Sequence, residues 1–458
     1  MRSSLDVTKR ALTGPICSER DFDQKVFAPR LAQALKQCEI KFDPAVLIPD
    51  QDSMADDLFT AAVDFYADVG TFCLDTERMI RFDEAEIKEG LRNAPSEAIF
   101  GEGLDAGVFR PRHPESKELP WCFIGAGGAP VSSEDIFLSL VQQYGQIGLA
   151  DAITTPELTM VDGLPIRVKT PLEIYGSIRN AILARDALRR AGRPGLPIMN
   201  ALATAASDTA LIASLYPTYG LRPSDGYFVA TMAELKTNYE LMNKACVLTT
   251  LGGRIGTLAG CVMGGYCGGP EGTALTVAAH HAHGILVNQA TYHLNHPAHM
   301  KYIANSSPEM LWLISMYAQA ISRNTHLLSL NLNYTSAGSA TEMALYEIAA
   351  QVITAVVSGV SIESVGLARA VYIDHLTPIE PKFAAEVAHS AAGLKRADAN
   401  EIVIALVKKY VDKLPNPPPG QRYQDCFDLR TGMPSGECLS IYSRVKKELA
   451  DLGLEFKY

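Results

Sequence analysis

Apolar residues near the N-terminus recur at helical spacing. Segment 52–67 places Leu58, Ala62 and Phe65 on one face of a helix, and segment 83–93 follows the same pattern. The N-terminal part of the chain is therefore predicted to be helical.

From Pro120 onward, short apolar runs alternate with long amphipathic stretches. The runs predicted as strands are Trp121–Ile124, Ala152–Thr155, Pro197–Ala201, Tyr227–Ala230, Ala245–Thr250, Leu258–Met263, Val287–His293 and Leu328–Tyr334. Strands that alternate with helices favour parallel pairing, because each parallel pair needs a crossover connection. We predict an α/β fold, a (β/α)8 TIM barrel, with a doubly wound open sheet as the alternative.

The pattern divides the chain into three parts of one unit. Residues 1–118 are predicted to form an N-terminal helical extension packed on the barrel, and residues 119–345 to form the barrel core. Residues 346–458 are predicted to add only helices.

Composition narrows the class of protein. Hydrophobic residues make up 47% and charged residues 20% of the chain, which is typical of a globular protein with a large core. The net charge of -10 argues against nucleic acid as a partner, and no segment approaches about 20 uninterrupted apolar residues. Nine cysteines without a CxxC pair suit a reducing compartment. We therefore expect a soluble, cytoplasmic protein that does not enter a membrane.

Two glycine-rich loops follow predicted strands, at 125–130 (GAGGAP) and 264–272 (GGYCGGPEG). Backbone N–H groups in such loops can approach an anion, and the alternative is that the glycines supply turns and close packing. Neither loop contains GxGxxG or a Walker motif.

Histidines cluster in two groups, His280/His281/His283 and His293/His296/His299. Zinc needs converging ligands, and Pro297 interrupts the spacing of the second group. We therefore predict no metal site and interpret the first group as a polar cap on the barrel rim or as an oligomer interface.

Seven segments together resemble one known family. They are GRPG (192–195), AELK (233–236), GGYCGG (264–269), YHLNHPAH (292–299), AGSATEM (337–343), YQDCFD (423–428) and ADLGLEF (450–456). In order and spacing they are similar to the monomethylamine methyltransferase family of methanogenic archaea, over nearly the whole chain.

The resemblance implies a homohexameric barrel that moves a methyl group from a small amine to the cobalt of a partner corrinoid protein. The chain lacks a DxHxxG corrinoid-ligand motif, so the corrinoid would be carried by that partner and not by this chain. Met199 stands at the family's pyrrolysine position, with Asn200 beside it. Neither side chain has an electrophilic imine carbon, so this chain would be a non-pyrrolysine member.

The family's polar pocket residues also match apolar ones here. One glutamate falls on Phe228, with Tyr227 or Gly226 as alternative matches, a second glutamate on Leu258, and a glutamine on Leu332, whereas a tyrosine is retained as Tyr334. The residues predicted to bind substrate are therefore Met199, Asn200, Phe228, Leu258, Leu332 and Tyr334. A buried pocket without acids leaves an ammonium unpaired, so monomethylamine is a poor substrate for it.

These residues favour a methyltransferase that acts on a pre-activated donor such as a quaternary amine. Aromatic walls bind such cations, and the candidates are Phe228, Tyr227, Tyr334 and Tyr266. Asp225 either pairs with the cation or caps a loop. The alternatives are a non-catalytic barrel that keeps the hexamer and the corrinoid-protein docking surface, and a zinc-assisted methyltransferase that uses the histidines.

Overall fold

The computed structural model describes residues 4–38, 40–199, 206–216 and 218–456. Its α-helices are α1 Ser4–Thr13, α2 Glu19–Asp21, α3 Ala28–Cys38, α4 Asp52–Val69, α5 Glu84–Asn93, α6 Glu134–Gln146, α7 Pro171–Arg190, α8 Asp208–Ser214, α9 Tyr239–Thr250, α10 Pro270–Leu286, α11 Pro308–Asn324, α12 Glu342–Val357, α13 Ile379–Ala391, α14 Arg396–Tyr410, α15 Tyr423–Cys426 and α16 Gly436–Asp451. Its strands are β1 Thr71–Cys73, β2 Arg78–Ile80, β3 Ala98–Phe100, β4 Gly107–Phe109, β5 Cys122–Ile124, β6 Pro130–Val131, β7 Ala152–Ile153, β8 Glu157–Leu158, β9 Met160–Val161, β10 Leu164–Pro165, β11 Gly226–Thr231, β12 Lys236–Thr237, β13 Arg254–Ala259, β14 Val262–Met263, β15 Tyr292–Asn295, β16 Ala298–His299, β17 Leu328–Thr335 and β18 Ser361–Leu367.

Seven parallel strands form the central sheet, in the order β11-β13-β15-β17-β18-β5-β7. The order follows the chain, and the last strand, β18, lies beside the first, β5. A doubly wound sheet would reverse its order at a switch point, so that alternative is wrong. The sheet curls in the manner of a TIM barrel.

The gap between β7 and β11 is spanned by Ile198. This residue forms a parallel bridge with Ile153, and its carbonyl accepts a hydrogen bond from Gly226 N at 3.0 Å. Met199 N in turn donates to Ile153 O at 3.0 Å. The third predicted strand, Pro197–Ala201, is thus a single bridge here, and its residues 200 and 201 lie outside the described residues.

One predicted strand is wrong, and one strand of the barrel was not predicted. Ala245–Thr250 is the end of helix α9, whose buried residues Met242, Ala245 and Leu248 repeat every three positions. The eighth strand is instead β18, which pairs with β17 and β5. The barrel core therefore continues beyond residue 345, into the part predicted to add only helices.

A hairpin closes the end of the barrel at which the strands begin. Strands β3 and β4 pair antiparallel, and their turn is held by hydrogen bonds from Gly101 N to Ser224 O and from Glu102 N to Gly195 O, both 2.9 Å. The inward residues of the hairpin pack beneath the barrel interior. Within the described residues the hairpin thus covers this end, so a ligand is expected to enter from the opposite end, where the strands terminate.

Further helices cover the barrel. Helix α4 packs on α10 and α11, and the C-terminal helices α14 and α16 pack on α12. The N-terminal part is tied to the barrel side by strand β1, which pairs with β12. Within the described residues, no helix has the length and apolarity needed to cross a membrane.

Candidate functional site

The barrel interior contains one apolar cluster, called here the interior cluster. Strand alternation directs every second side chain inward, so these residues meet although they come from all parts of the barrel. The buried members are Ala98, Phe100, Phe109, Trp121, Phe123, Ala152, Met199, Tyr292, Leu294, Leu328, Leu330 and Leu332, and the partly buried members are Phe228, Leu258 and Tyr334. Five of the six predicted substrate-binding residues therefore lie in one cluster. The sixth, Asn200, lies outside the described residues.

Met199 lies low in this interior, beside the residues that close the barrel base. Its side chain is fully buried, and Trp121 Nε1 donates a hydrogen bond to its Sδ atom at 3.3 Å. The hydroxyl of Tyr292 donates to its backbone carbonyl at 3.3 Å. Met199 is therefore fixed at the floor by contacts on both its side chain and its backbone.

Side-chain direction distinguishes Phe228 from Tyr227, the two aromatic candidates at the first family-glutamate position. Phe228 points inward, with its ring centroid 5.9 Å from that of Phe123 and 5.6 Å from that of Tyr292. Tyr227 packs in the layer between strands and helices, and its hydroxyl donates to Arg222 O. The hypothesis that Tyr227 lines the cavity is therefore wrong, because adjacent residues of a strand face opposite sides.

Three strand glycines make room for these rings. A Cβ at Gly366 would overlap the Tyr334 ring, a Cβ at Gly256 would overlap Tyr292, and a Cβ at Gly226 would overlap the Tyr292 hydroxyl. Large and small residues thus alternate across neighbouring strands, as in a well-packed barrel interior. Tyr334 remains partly exposed and contacts His296, with ring centroids 4.8 Å apart.

The interior also contains an acid that sequence analysis missed. Glu363 of β18 pairs in register with Leu332 of β17 and Phe123 of β5, both members of the interior cluster. It is 5% exposed, and burial raises the pKa of its carboxyl group to about 8. Its strand was not predicted, so no argument from alternation was applied to it. The run SIESV, with polar residues between Ile362 and Val365, was the available signal.

The other proposed contacts of a cation lie elsewhere. Asp225 immediately precedes β11, where its carboxylate accepts hydrogen bonds from Ile198 N at 2.9 Å and Arg222 N at 2.7 Å and pairs with Arg185. The loop-cap interpretation of Asp225 therefore agrees with the structure. Tyr266 is 45% exposed on the loop before α10 and is not a member of the interior cluster.

The glycine-rich loops make turns and close contacts. Gly264 N donates to Gly268 O at 2.8 Å, and Gly268 N donates to Gly265 O at 3.0 Å. A Cβ at Gly125 would lie 2.5 Å from Thr154 O, so the first loop packs directly on the chain after β7. These contacts favour the turn and packing interpretation over an anion site.

The first histidine group is buried on helix α10. Thr71 Oγ1 lies 3.0 Å from His283 Nδ1, and Ser329 Oγ lies 3.1 Å from His281 Nε2, whereas neither ring nitrogen of His280 has a hydrogen-bond partner. Burial lowers the pKa of all three rings. The group therefore lies inside the packed protein and not on a polar rim. Within the described ranges, no three His, Cys, Asp or Glu side chains converge closely enough to hold a metal ion.

Comparison with known proteins places the whole chain in one family. The family model for monomethylamine methyltransferase MtmB matches residues 3–454. Monomethylamine methyltransferase MtmB1 of Methanosarcina barkeri is 31% identical over 452 residues, and MtmB1 of Methanosarcina acetivorans is 31% identical over 455 residues, each alignment covering 98% of both chains. The crystal structures of the Methanosarcina barkeri enzyme and of the hydroxylamine MtmB complex superpose with a TM-score of 0.95 at 30% identity, covering 99% of both chains. The chain belongs to the monomethylamine methyltransferase family.

Proposed function

We propose that this protein transfers a methyl group from a methylated amine, other than monomethylamine, to the Co(I) of a partner corrinoid protein. The observation that carries the proposal is the meeting of Met199, Phe228, Leu258, Leu332 and Tyr334 in one interior cluster. Family membership supports the reaction class. The proposal includes a homohexamer, a corrinoid carried by the partner, and a cytoplasmic location.

The donor is a quaternary amine. Met199 offers no electrophilic carbon to hold a primary amine, so the donor must already contain a good leaving group. A quaternary ammonium meets this need: the Co(I) electron pair forms the bond to the methyl carbon, the C–N bond breaks, and its electron pair remains on a neutral tertiary amine. No proton is exchanged in this step.

The residues of the cluster suit such a cation. Phe228 and Tyr334 are partly exposed, unlike the fully buried rings of Phe123 and Tyr292 in the same cluster. Cation–π contact with each ring contributes roughly 0.5–2 kcal/mol in place of hydration. Leu258 and Leu332 add apolar side chains to the same cluster, which would exclude water from the methyl group, and the anchored Met199 forms its base.

The test is methyl transfer by the purified protein to a reconstituted Co(I) corrinoid protein. A panel of mono-, di-, tri- and tetramethylated amines is supplied, and formation of methyl-Co(III) is followed by absorbance. We expect transfer from quaternary donors and little from monomethylamine. If no donor methylates the cobalt, the proposal is rejected.

The non-catalytic barrel remains the second candidate, and the complete burial of Met199 within an apolar interior favours it. The partial exposure of Phe228, Leu258 and Tyr334 favours the enzyme, because a filled core would bury them. A protein that binds the corrinoid partner but transfers no methyl group would support the second candidate.

A further inference from the structure

Glu363 differs in its hydrogen bonding from Glu347 and Glu380, two other buried glutamates. Glu347 accepts hydrogen bonds from Ser336 N at 2.7 Å and Ala337 N at 2.9 Å, and Glu380 accepts from Ala340 N at 2.7 Å. Glu363 Oε2 is buried with no hydrogen-bond partner, and it is the one glutamate oxygen of that kind in the described part of the chain. Glu347 and Glu380 thus fix backbone segments through hydrogen bonds, whereas Glu363 has no such structural role.

Its side chain points into the same space as the proposed site. The neighbours of Glu363 on its own strand, Ile362 and Ser364, face outward, because Ile362 packs in the outer layer and Ser364 Oγ lies 3.4 Å from Asn333 Nδ2. Glu363 therefore faces inward, level with Leu332 and Phe123.

The carboxyl group lies on the side of the barrel where ligands enter. A Cβ at Gly127, on the loop after β5, would lie 3.6 Å from Glu363 Oε1. That loop leaves the C-terminal end of its strand, so the carboxyl group is near the open end and above the floor at Met199.

We infer that Glu363 is the counter-ion for a permanently cationic methyl donor, and that it sets the specificity of the site for quaternary ammonium over neutral analogues. The inference rests on the proposed function for the reaction and on geometry for the binding. Ionising a buried carboxyl group that has no partner is costly, and a cation held near the rings of Phe228 and Tyr334 would offset that cost. The aromatic walls and one acid then form a complete cation site. The matching positions predicted a pocket without acids, and Glu363 supplies one from another strand.

Because burial raises the pKa of Glu363, cation binding should depend on pH. Free Glu363 has a pKa of about 8, so it is mainly neutral at pH 7, and a permanent cation binds its ionised form. The dissociation constant for the cation should therefore fall about tenfold per pH unit up to about pH 8 and then level off.

Three other titratable rings near the interior have pKa values that are shifted away from neutral pH. Burial raises the pKa of Tyr292 and Tyr334 and lowers that of His296 to about 4. Glu347 of α12 and Glu380 of α13, on the helices behind β18, bind backbone as described. Burial alone accounts for the raised pKa of Glu363, without a contribution from a neighbouring charge.

The experiment is calorimetric titration of the full-length protein with tetramethylammonium chloride between pH 6 and 9. We expect Glu363→Gln to weaken binding about 30-fold or more and to remove the pH dependence, because one partner of a buried charge pair is lost. Glu157→Gln is the matched control and should bind like the wild type. It changes an acid of β8, which is not a strand of the central sheet. Thermal unfolding checks folding, and Glu363→Gln should be at least as stable as the wild type because it removes an unpartnered buried carboxyl group.

A second probe pair isolates the charge. Choline and its neutral carbon analogue 3,3-dimethylbutan-1-ol have similar shapes, so the wild type should prefer choline and Glu363→Gln should lose that preference. The inference is overturned if the wild type does not bind tetramethylammonium, or if Glu363→Gln binds it equally well. If Glu363→Gln transfers methyl groups to Co(I) as fast as the wild type, this inference is overturned and the proposed function is not. Charge-dependent binding without any methyl transfer would support it while rejecting the proposed reaction.

Discussion

Adding a single methyl group at Gly256, by Gly256→Ala, tests the packing of the barrel interior. The new Cβ would lie 2.8 Å from Phe228 Cδ1 and would overlap the Tyr292 ring. Carbon atoms in contact prefer about 3.5–4.0 Å, so both rings would have to move. Tyr292 is fully buried, lies 5.5 Å from the Phe100 ring and is bonded to Met199 O, so it has little room to do so.

We expect Gly256→Ala to lower the free energy of unfolding by about 3 kcal/mol, the upper end of the cost of overpacking. Unfolding entropy is about 2.1 cal/mol/K per residue, so a cooperative unit of 458 residues should lose about 1 °C in Tm per kcal/mol. Differential scanning calorimetry and urea unfolding both measure the change. Gly260→Ala is the matched control, since a Cβ at Gly260 meets nothing within 4 Å.

A double-mutant cycle identifies the cause. Tyr292→Leu removes the ring, so Gly256→Ala should cost less in that background, by about 1 kcal/mol or more. If Gly256→Ala is as stable as Gly260→Ala, or if its cost is unchanged beside Tyr292→Leu, the collision with Tyr292 is refuted.

Three further predictions concern Met199, Asp225 and stability at acidic pH. Met199→Ala should destabilise the protein by about 2–5 kcal/mol and Met199→Leu by less than about 1.5 kcal/mol in urea unfolding, because the first leaves a cavity and the second conserves volume; equal losses would contradict this. Asp225→Ala should cost about 3–5 kcal/mol, because it leaves the Arg185 guanidinium without its ion-pair partner and Ile198 N and Arg222 N without an acceptor. Asp186→Ala, which breaks partly exposed ion pairs with Arg189 and Arg190, is the control, and similar unfolding midpoints for the two variants would refute this role of Asp225. The contribution of buried His281 and His296 to stability should be complete above about pH 6.5 and fall as the pH drops toward 4, because the unfolded chain takes up protons that these rings, with pKa values of about 4, do not; each contributes about 1.4 kcal/mol per pH unit. His296→Gln should therefore have a smaller slope of urea midpoint against pH than the wild type between pH 5 and 7, and an unchanged slope would refute this.

Sequence patterns predicted most of the elements that build the barrel. The run Leu328–Tyr334 and the helix at 52–67 were correct to within two residues, because a buried strand and an amphipathic helix each leave a strong local signal. Ala245–Thr250 was wrong because a short apolar run does not distinguish a buried strand from a buried helix face. Helix α9 is instead fixed by its start, where Asn238 accepts a hydrogen bond from Leu241 N at 2.9 Å.

The chain by itself determined the alternation of strands and helices, the family and the residues at the matching pocket positions. Only the tertiary structure decided which of those residues share one space. The register of β11 directs Phe228, and not Tyr227, into the barrel. The bridge between Ile198 and Ile153 positions Met199. The pairing of β18 with β5 places Glu363 in the barrel interior. The physical reason is that parallel strands meet through contacts between distant parts of the chain, whereas a local pattern records only which side chains avoid water.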